Sequence, residues 1–242
     1  MSSSPSSAKT TKPRSAGQPL NRAHSTKERL VLTAERLFAL HGLEGVSLRQ
    51  ISTEAGNANN SAVQYHFGSK EGLVQAIFEY RVPAIMRRRR LLAAERGGDD
   101  LRSIVEVYLL PILEEAEDVE SFYMPFLVQL QRFGLGEHPF DHLPDEFKQP
   151  TFHYIASVSA HLEHVPPELR TTRIVQTMSI CTHVASDRQL ALRHSAPVTP
   201  YALHVAELFD GMVGFLQAPV SRATLEALPQ APVVPRWRFV LP

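Results

Sequence analysis

The chain has little of what a secreted or membrane-embedded protein needs. A single cysteine, Cys181, among 242 residues excludes a disulfide within the chain and is typical of a reducing compartment. No run of apolar residues is long enough to span a bilayer. The first 19 residues are rich in Ser, Thr and Pro and lack the apolar stretch of a signal peptide. We therefore expect a cytoplasmic protein with no membrane partner.

Patterns typical of enzymes and metal sites are also missing. The sequence has no Gly-rich phosphate loop and no nucleophile elbow. His161 and His164 could share one helix face as metal ligands, but no third ligand has a suitable spacing, which favours a pair of surface histidines. Cys181 and His183 are two positions apart, on different faces of a helix, which argues against a nucleophile and its base. We predict no enzyme activity, no metal and no cofactor.

Charge is balanced over the whole chain but divided along it. The formal net charge is +0, yet residues 1–90 hold 14 Lys and Arg against 6 Asp and Glu, a net charge of +8. Residues 91–242 hold 11 against 19, a net charge of −8. A basic N-terminal segment is typical of a protein that binds a polyanion, and the acidic remainder would be repelled by the same partner. The division predicts two regions with different tasks.

Helix signals recur from Ser25 onward, and no sustained two-residue alternation indicates strands, so we predict an all-α fold. Capping boxes at 25–28 and 47–50 open the first two helices, and Ser69 precedes a longer fourth helix. That helix should run to about Arg96 with a kink at Pro83. Further helices are predicted near 100–117, 119–133, 145–164, 167–194 and 199–217. The predicted domains are a disordered tail (1–22), a three-helix head (23–80), a larger helical domain (81–218) and a Pro-rich tail (219–242).

The segment from Ser47 to Ile77 carries the clearest functional pattern. It contains a capped helix, a turn at Gly56 and a short polar helix ending at Phe67. A helix that reads DNA needs polar side chains that donate and accept hydrogen bonds at base edges. The candidate base readers are Asn59, Asn60, Ser61, Gln64 and Tyr65. The alternative is that these polar residues only solvate a surface helix.

This segment resembles the helix-turn-helix of the TetR family of transcriptional regulators. The family pattern runs from a Ser/Thr-capped helix through Ile-Ala-x-x-Ala-Gly to Tyr-x-His-Phe and Ser-Lys-Glu-x-Leu. The resemblance covers roughly residues 25–80, and the matching residues are Ile51, Ala55, Gly56, His66, Phe67, Ser69, Lys70, Glu71 and Leu73.

The resemblance implies roles for single residues on double-stranded DNA. Lys70 would contact phosphate, and Ser47 and Arg49 would contact phosphate or a groove edge. His66 would clamp the DNA backbone. The chain has one residue more than the family between Gly56 and Phe67, so Gln64 lies where the family has its DNA-contacting tyrosine and Tyr65 follows it. Which of these two reaches the backbone stays open.

For the larger domain, the resemblance implies a small, partly hydrophobic effector and a homodimer. Aromatic and polar residues in this region suit such a cavity, although core packing is the plainer interpretation for each of them: Tyr108, Phe122, Tyr123, Phe126, Gln129, Phe133, His153 and Tyr154. The helices near 167–194 and 199–217 would pair across a two-fold axis. The implied protein is a repressor that an effector releases from a palindromic operator. The alternatives are a regulator without a small-molecule effector and an all-α enzyme with an incidental basic head.

The run Arg87–Arg90 is a less suitable DNA contact. Arg88 follows Lys70 by 18 residues, which is about 27 Å along a helix and too far for a shared groove contact. We expect these arginines to be solvated or to pair with the acidic run 114–120.

Overall fold

The computed structural model describes residues 25–57, 62–132 and 143–228, and all regular elements in these ranges are helices. They are α1 (Thr26–His41), α2 (Leu48–Glu54), α3 (Ala62–Phe67), α4 (Lys70–Arg96), α5 (Leu101–Glu115), α6 (Tyr123–Arg132), α7 (Asp145–Ala160), α8 (Pro167–Arg193), α9 (Tyr201–Gln217) and α10 (Arg222–Ala227). The all-α prediction is confirmed. The predictions for the tail 1–22, for Asn59, Asn60 and Ser61, and for Phe133 lie outside the described residues.

The serines predicted to cap the first helices do so. Ser25 and Glu28 form a complete capping box at the start of α1. Ser47 Oγ accepts a hydrogen bond from the Gln50 amide, but the Gln50 side chain donates to Glu54 one turn further on instead of returning to the cap. Ser69 Oγ accepts from the amide of Gly72 and begins α4. Local side-chain chemistry therefore determines where α1, α2 and α4 begin.

Helix α4 connects the head to the rest of the molecule. It is continuous from Lys70 to Arg96, as the sequence predicted, and Pro83 lies inside it without ending it. Its first half packs on α1 and α3, and its second half on α5 and α7. A displacement of the second half would therefore be transmitted along one continuous helix to the head.

The helix ends in the larger domain differ in detail from the prediction. Helix α6 begins at Tyr123 because residues 118–121 form a turn in which the Ser121 amide donates to the Asp118 carbonyl. Helix α7 ends at Ala160, before turns that lead to Pro166. Helix α10 lies in the stretch that we had predicted to be a Pro-rich tail, and Ser221 caps it. No helix in the described ranges is long and apolar enough to cross a bilayer.

Polar contacts as well as apolar ones hold the head to the larger domain. The buried Glu35 of α1 accepts two hydrogen bonds from Arg81 of α4 and one from the amide of Phe122. Arg81 also donates to Glu115 of α5, whose carboxylate accepts from the Ser121 hydroxyl. One hydrophobic core continues through both regions, and α1 packs along α6.

Candidate nucleic-acid interface

Helices α1, α2 and α3 form a compact head on the first turns of α4. Helix α2 ends in a turn at Gly56, whose φ of +71° is a conformation that glycine adopts without strain. Helix α3 docks through Val63, which is fully buried, and Phe67, which is partly buried against the core. Gly68, also at φ +71°, ends α3 and turns the chain into α4. The predicted helix-turn-helix arrangement is therefore present.

The other side of α3 faces solvent. Gln64, Tyr65 and His66 are all exposed, and Tyr65 retains 85% of its accessible surface. At about 100° per residue, Tyr65 lies opposite the midpoint of the stripe formed by Val63 and Phe67. Gln64 and His66 lie on its two flanks, and the His66 ring packs edge-on against Tyr65 at 5.1 Å. The structure thus places three of the predicted DNA-binding residues on one protruding surface.

Arg49 and Ser47 stand at the start of α2. Arg49 is exposed, and no carboxylate in the described part of the chain lies within ion-pair distance of it. Ser47 Oγ already accepts a hydrogen bond as the cap of α2. Its hydroxyl can still donate a hydrogen bond to another partner. Arg49 is therefore available to pair with an external anion.

Lys70 has a structural contact that the sequence did not reveal. Its Nζ donates a 2.9 Å hydrogen bond to the Leu43 carbonyl, just after α1. The ammonium has three donors, so two remain for another acceptor. Next to it, the Glu71 carboxylate interacts with its own backbone amide and with Ser69, and both interactions lower the pKa of Glu71. The start of α4 therefore presents a cation and an anion side by side.

A second candidate site is a cavity of about 270 Å³ between α4, α5 and α7. Three of the eight residues predicted to bind a ligand line it: Tyr108, His153 and Tyr154. Tyr123 and Phe126 instead pack with Phe78 in a buried aromatic cluster.

The other two described candidates also lie away from this cavity. Phe122 lies beneath the guanidinium of Arg193, 3.6 Å from ring centroid to Cζ. Gln129 is half-buried on α6.

The sequence interpretation missed the contribution of α4 to this cavity. Met86, Arg89 and Arg90 line it from α4, and Ile104 and Val107 line it from α5. One signal was available: four consecutive arginines at about 100° intervals surround most of a helix, so one of them must face the core. Here the inward one is Arg89, which is buried. Arg88 pairs with Glu114, as expected for part of this run.

Comparisons with known proteins single out the head. Residues 30–77 match the family described as bacterial regulatory proteins, tetR family. The uncharacterized HTH-type transcriptional regulator YerO of Bacillus subtilis (strain 168) is 26% identical over 103 residues, which are 43% of this chain. The match spans 35% of YerO, so the chain covers about a third of that relative.

Solved structures similar to this chain include Mycobacterium smegmatis AmtR. It has a TM-score of 0.49 at 19% identity and covers 88% of this chain and 98% of its own. A transcriptional regulator from Rhodococcus sp. Rha1 has a TM-score of 0.47 at 19% identity, and the match covers 79% of this chain and 96% of that regulator.

Proposed function

We propose that the chain, whose residues 30–77 match the tetR family of bacterial regulatory proteins, is a transcriptional regulator of that family and binds double-stranded DNA through α3. The observation that carries the proposal is the position of Tyr65, fully outward on a helix whose opposite side is anchored by Val63. A major groove admits an α-helix, and side chains at the outer face of such a helix reach bases or phosphates. Tyr65 contacts the exposed ring of His66 and is not part of the described core.

Residues next to α3 extend the same proposed DNA-binding surface. Arg49 is a cation at the start of α2 without an ion-pair partner among the described residues, and Lys70 keeps two donors at the start of α4. Amide groups at a helix N-terminus also attract phosphate oxygens. In this arrangement, Tyr65 and Gln64 approach the groove while Arg49 and Lys70 hold the phosphates. Asn59, Asn60 and Ser61 remain candidate base readers, and His66 a candidate clamp on the DNA backbone.

Binding to a duplex from the gene's own upstream region tests the proposal. Fluorescence anisotropy should show that Tyr65→Ala weakens binding about tenfold or more, as expected for the loss of a stacking or polar contact at the groove. Tyr80→Ala is the matched control, because Tyr80 is a partly exposed tyrosine of α4 outside this surface. Equal weakening by both variants, or no attraction to duplex at low salt, would contradict the proposal.

We propose a homodimer formed by α8 and α9, whose outer faces are partly apolar. Helix α9 buries Leu208 and Phe209 inward, while Leu203 is 59% exposed on the other side. Gly214 lies on the same outer face as Leu203, and a Cβ added there would meet no described atom within 4 Å. A helical glycine costs about 1 kcal/mol relative to alanine, so its use here fits close approach by a second helix.

A two-fold dimer would present α3 twice, about 34 Å apart, to successive major grooves. The operator is then roughly palindromic. A bacterial protein that binds chromosomal DNA works in the cytoplasm, a reducing compartment that suits a chain whose one cysteine is free.

The cavity beside α4 suits the effector site of a repressor. Its floor includes residues of α4, the helix whose first turns support α3. A ligand that prefers a shifted position of α4 would move the heads apart or together and lower the affinity for the operator. DNA binding in the presence and absence of a bound ligand distinguishes this repressor from a regulator without a small-molecule effector.

A further inference from the structure

The cavity between α4, α5 and α7 has a buried floor and an exposed rim. Met86, Arg89, Tyr108 and Tyr154 form the floor and are almost fully buried. Arg90 and His153 lie on the rim and are exposed, together with Gly97 and Gly98 at the end of α4. A volume of about 270 Å³ is near the lower end of ligand sites. The site therefore suits a small molecule that enters past Arg90.

The arginine on the floor is held in a fixed plane. The guanidinium of Arg89 lies 3.6 Å from the ring centre of Tyr108, and that ring stacks on Tyr154 at 4.0 Å with the planes 8° apart. Arg89 Nε donates to the Tyr108 carbonyl at 2.9 Å, and Nη1 points to Met86 Sδ at 3.7 Å. Stacking on the Tyr108 ring, the hydrogen bond to the Tyr108 carbonyl and a weak sulfur acceptor together fix the orientation of the guanidinium.

Tyr154 contributes a further polar group to the floor of the cavity. Its hydroxyl is buried and has no hydrogen-bond partner among the described residues, whereas the Tyr108 hydroxyl is bonded to Thr151 at 2.6 Å. A buried hydroxyl without a partner is costly, so native structures usually satisfy it with a protein group, water or a ligand. Burial also raises the pKa of Tyr154, so this group stays protonated and can donate.

The charged side chains around the cavity are of one sign. Arg89 and Arg90 line it, and no Asp or Glu belongs to its described lining. The neighbouring carboxylate, Asp100, caps α5 by accepting from the amide and hydroxyl of Ser103 at 3.1 and 2.5 Å. The rest of the lining is mostly apolar, as at Ile104 and Val107, and its other polar residues are Ser103, His153, Ser157 and the two tyrosines. The site therefore combines two cationic side chains, one on the floor and one on the rim, with partly apolar walls.

We propose that this cavity binds a small carboxylate with an apolar body, its carboxylate held by Arg89, Arg90 and the Tyr154 hydroxyl. The planar guanidinium matches the planar carboxylate, and the Tyr154 O–H supplies a further donor. Burial lowers the pKa of Arg89, and a bound anion offsets that desolvation. The apolar body lies against Met86, Ile104 and Val107. The inference rests on the proposed function only in identifying this ligand as the effector.

Pairs of compounds that differ only in the head group, a carboxylate or its primary amide, test the proposal. Calorimetry and thermal unfolding of the full chain would compare octanoate with octanamide and 4-phenylbutanoate with 4-phenylbutanamide. We expect at least one carboxylate to bind and to raise the melting temperature. The affinity of its amide should be at least about tenfold lower. Equal binding of the acid and amide of each pair, or no binding by either acid up to its solubility, would overturn the proposal.

Three variants locate the binding. Arg90→Gln and Tyr154→Phe should each weaken the carboxylate by about tenfold, as expected for loss of a hydrogen bond to a charged group. Arg87→Gln is the control, because Arg87 is an exposed arginine of the same helix that does not line the cavity. Equal affinities of all three variants would place the carboxylate elsewhere and refute the assignment.

A separate DNA-binding measurement keeps the two proposals apart. If the protein without ligand fails to bind duplex DNA, the proposed function fails while the carboxylate result stands. If the protein binds DNA but binds the acid and the amide of each pair equally, the proposed carboxylate site fails while the proposed function stands.

Discussion

Arg81 of α4 donates two hydrogen bonds to Glu35 of α1, at 2.6 and 2.7 Å, and so joins the first helix of the head to the helix that leads out of it. Glu35 is nearly inaccessible to solvent and also accepts from the Phe122 amide. Burial lowers the pKa of Arg81, and the hydrogen bond and charge of Glu35 raise it. The net effect is a raised pKa. Arg81 therefore remains charged, and its hydrogen bonds to Glu35 tie the head to the larger domain.

Removing one member of this pair should be costly. Arg81→Met leaves Glu35 buried without its cation, and we expect a loss of about 3–5 kcal/mol in the free energy of unfolding. Urea denaturation followed by circular dichroism measures it. The control is Arg36→Met, because Arg36 pairs with Glu54 at a similar 2.6 Å but both side chains are more than a third exposed. That change should cost less than about 1 kcal/mol, and a similar cost for both variants would contradict the role assigned to burial.

The contrast between local and distant contacts explains what the sequence could predict. The caps Ser25, Ser47 and Ser69 bond to amides three residues away, so their motifs could be recognised directly. Glu35 and Arg81 are 46 residues apart, and Lys70 and Leu43 are 27 apart, so neither contact follows from helix periodicity. The outward side of α3 was predictable, because the apolar spacing of Val63 and Phe67 defines its inner side.

The cavity was predicted less well for the same reason. Aromatic composition suggested a site, but it does not distinguish Tyr154, which lines the cavity, from Phe126, which packs in the core. That distinction depends on how α4, α5 and α7 diverge, which no local pattern encodes. Arg89 was interpreted as part of a solvated or ion-paired run, whereas tertiary packing places its guanidinium on the ring of Tyr108.

Cys181 should be unreactive in the folded protein. Burial raises the pKa of its thiol to about 12, so almost no thiolate exists at neutral pH, and reagents also have no access to the buried sulfur. Iodoacetamide at pH 8 should leave the native protein unlabelled and label it once per chain in denaturant, which mass spectrometry detects. Labelling of the native protein at the rate seen in denaturant would show that α8 opens readily.

Arg49 should contribute to DNA affinity without contributing to sequence preference. A lost phosphate contact weakens binding to all duplexes and reduces the slope of log K against log salt by about 1. We expect this for Arg49→Gln in titrations at several salt concentrations. Arg87→Gln removes the same charge from an exposed site on α4 and should leave the slope nearly unchanged. If Arg49→Gln weakened only one sequence, Arg49 would be a base contact instead.

The apolar outer face of α9 gives the prediction about assembly. Leu203→Glu places a charge on the face that we propose to be covered by a second copy, where desolvation of an unpaired carboxylate opposes association. Sedimentation equilibrium should show a dimer for the unaltered protein and a shift toward monomer for the variant. Leu91→Glu is the control, because Leu91 of α4 is also half exposed but lies on neither α8 nor α9. Because a dimer contacts two half-sites, Leu203→Glu should also weaken binding to a palindromic duplex more than to a single half-site. If both leucine variants remained dimeric, the interface would lie on another surface.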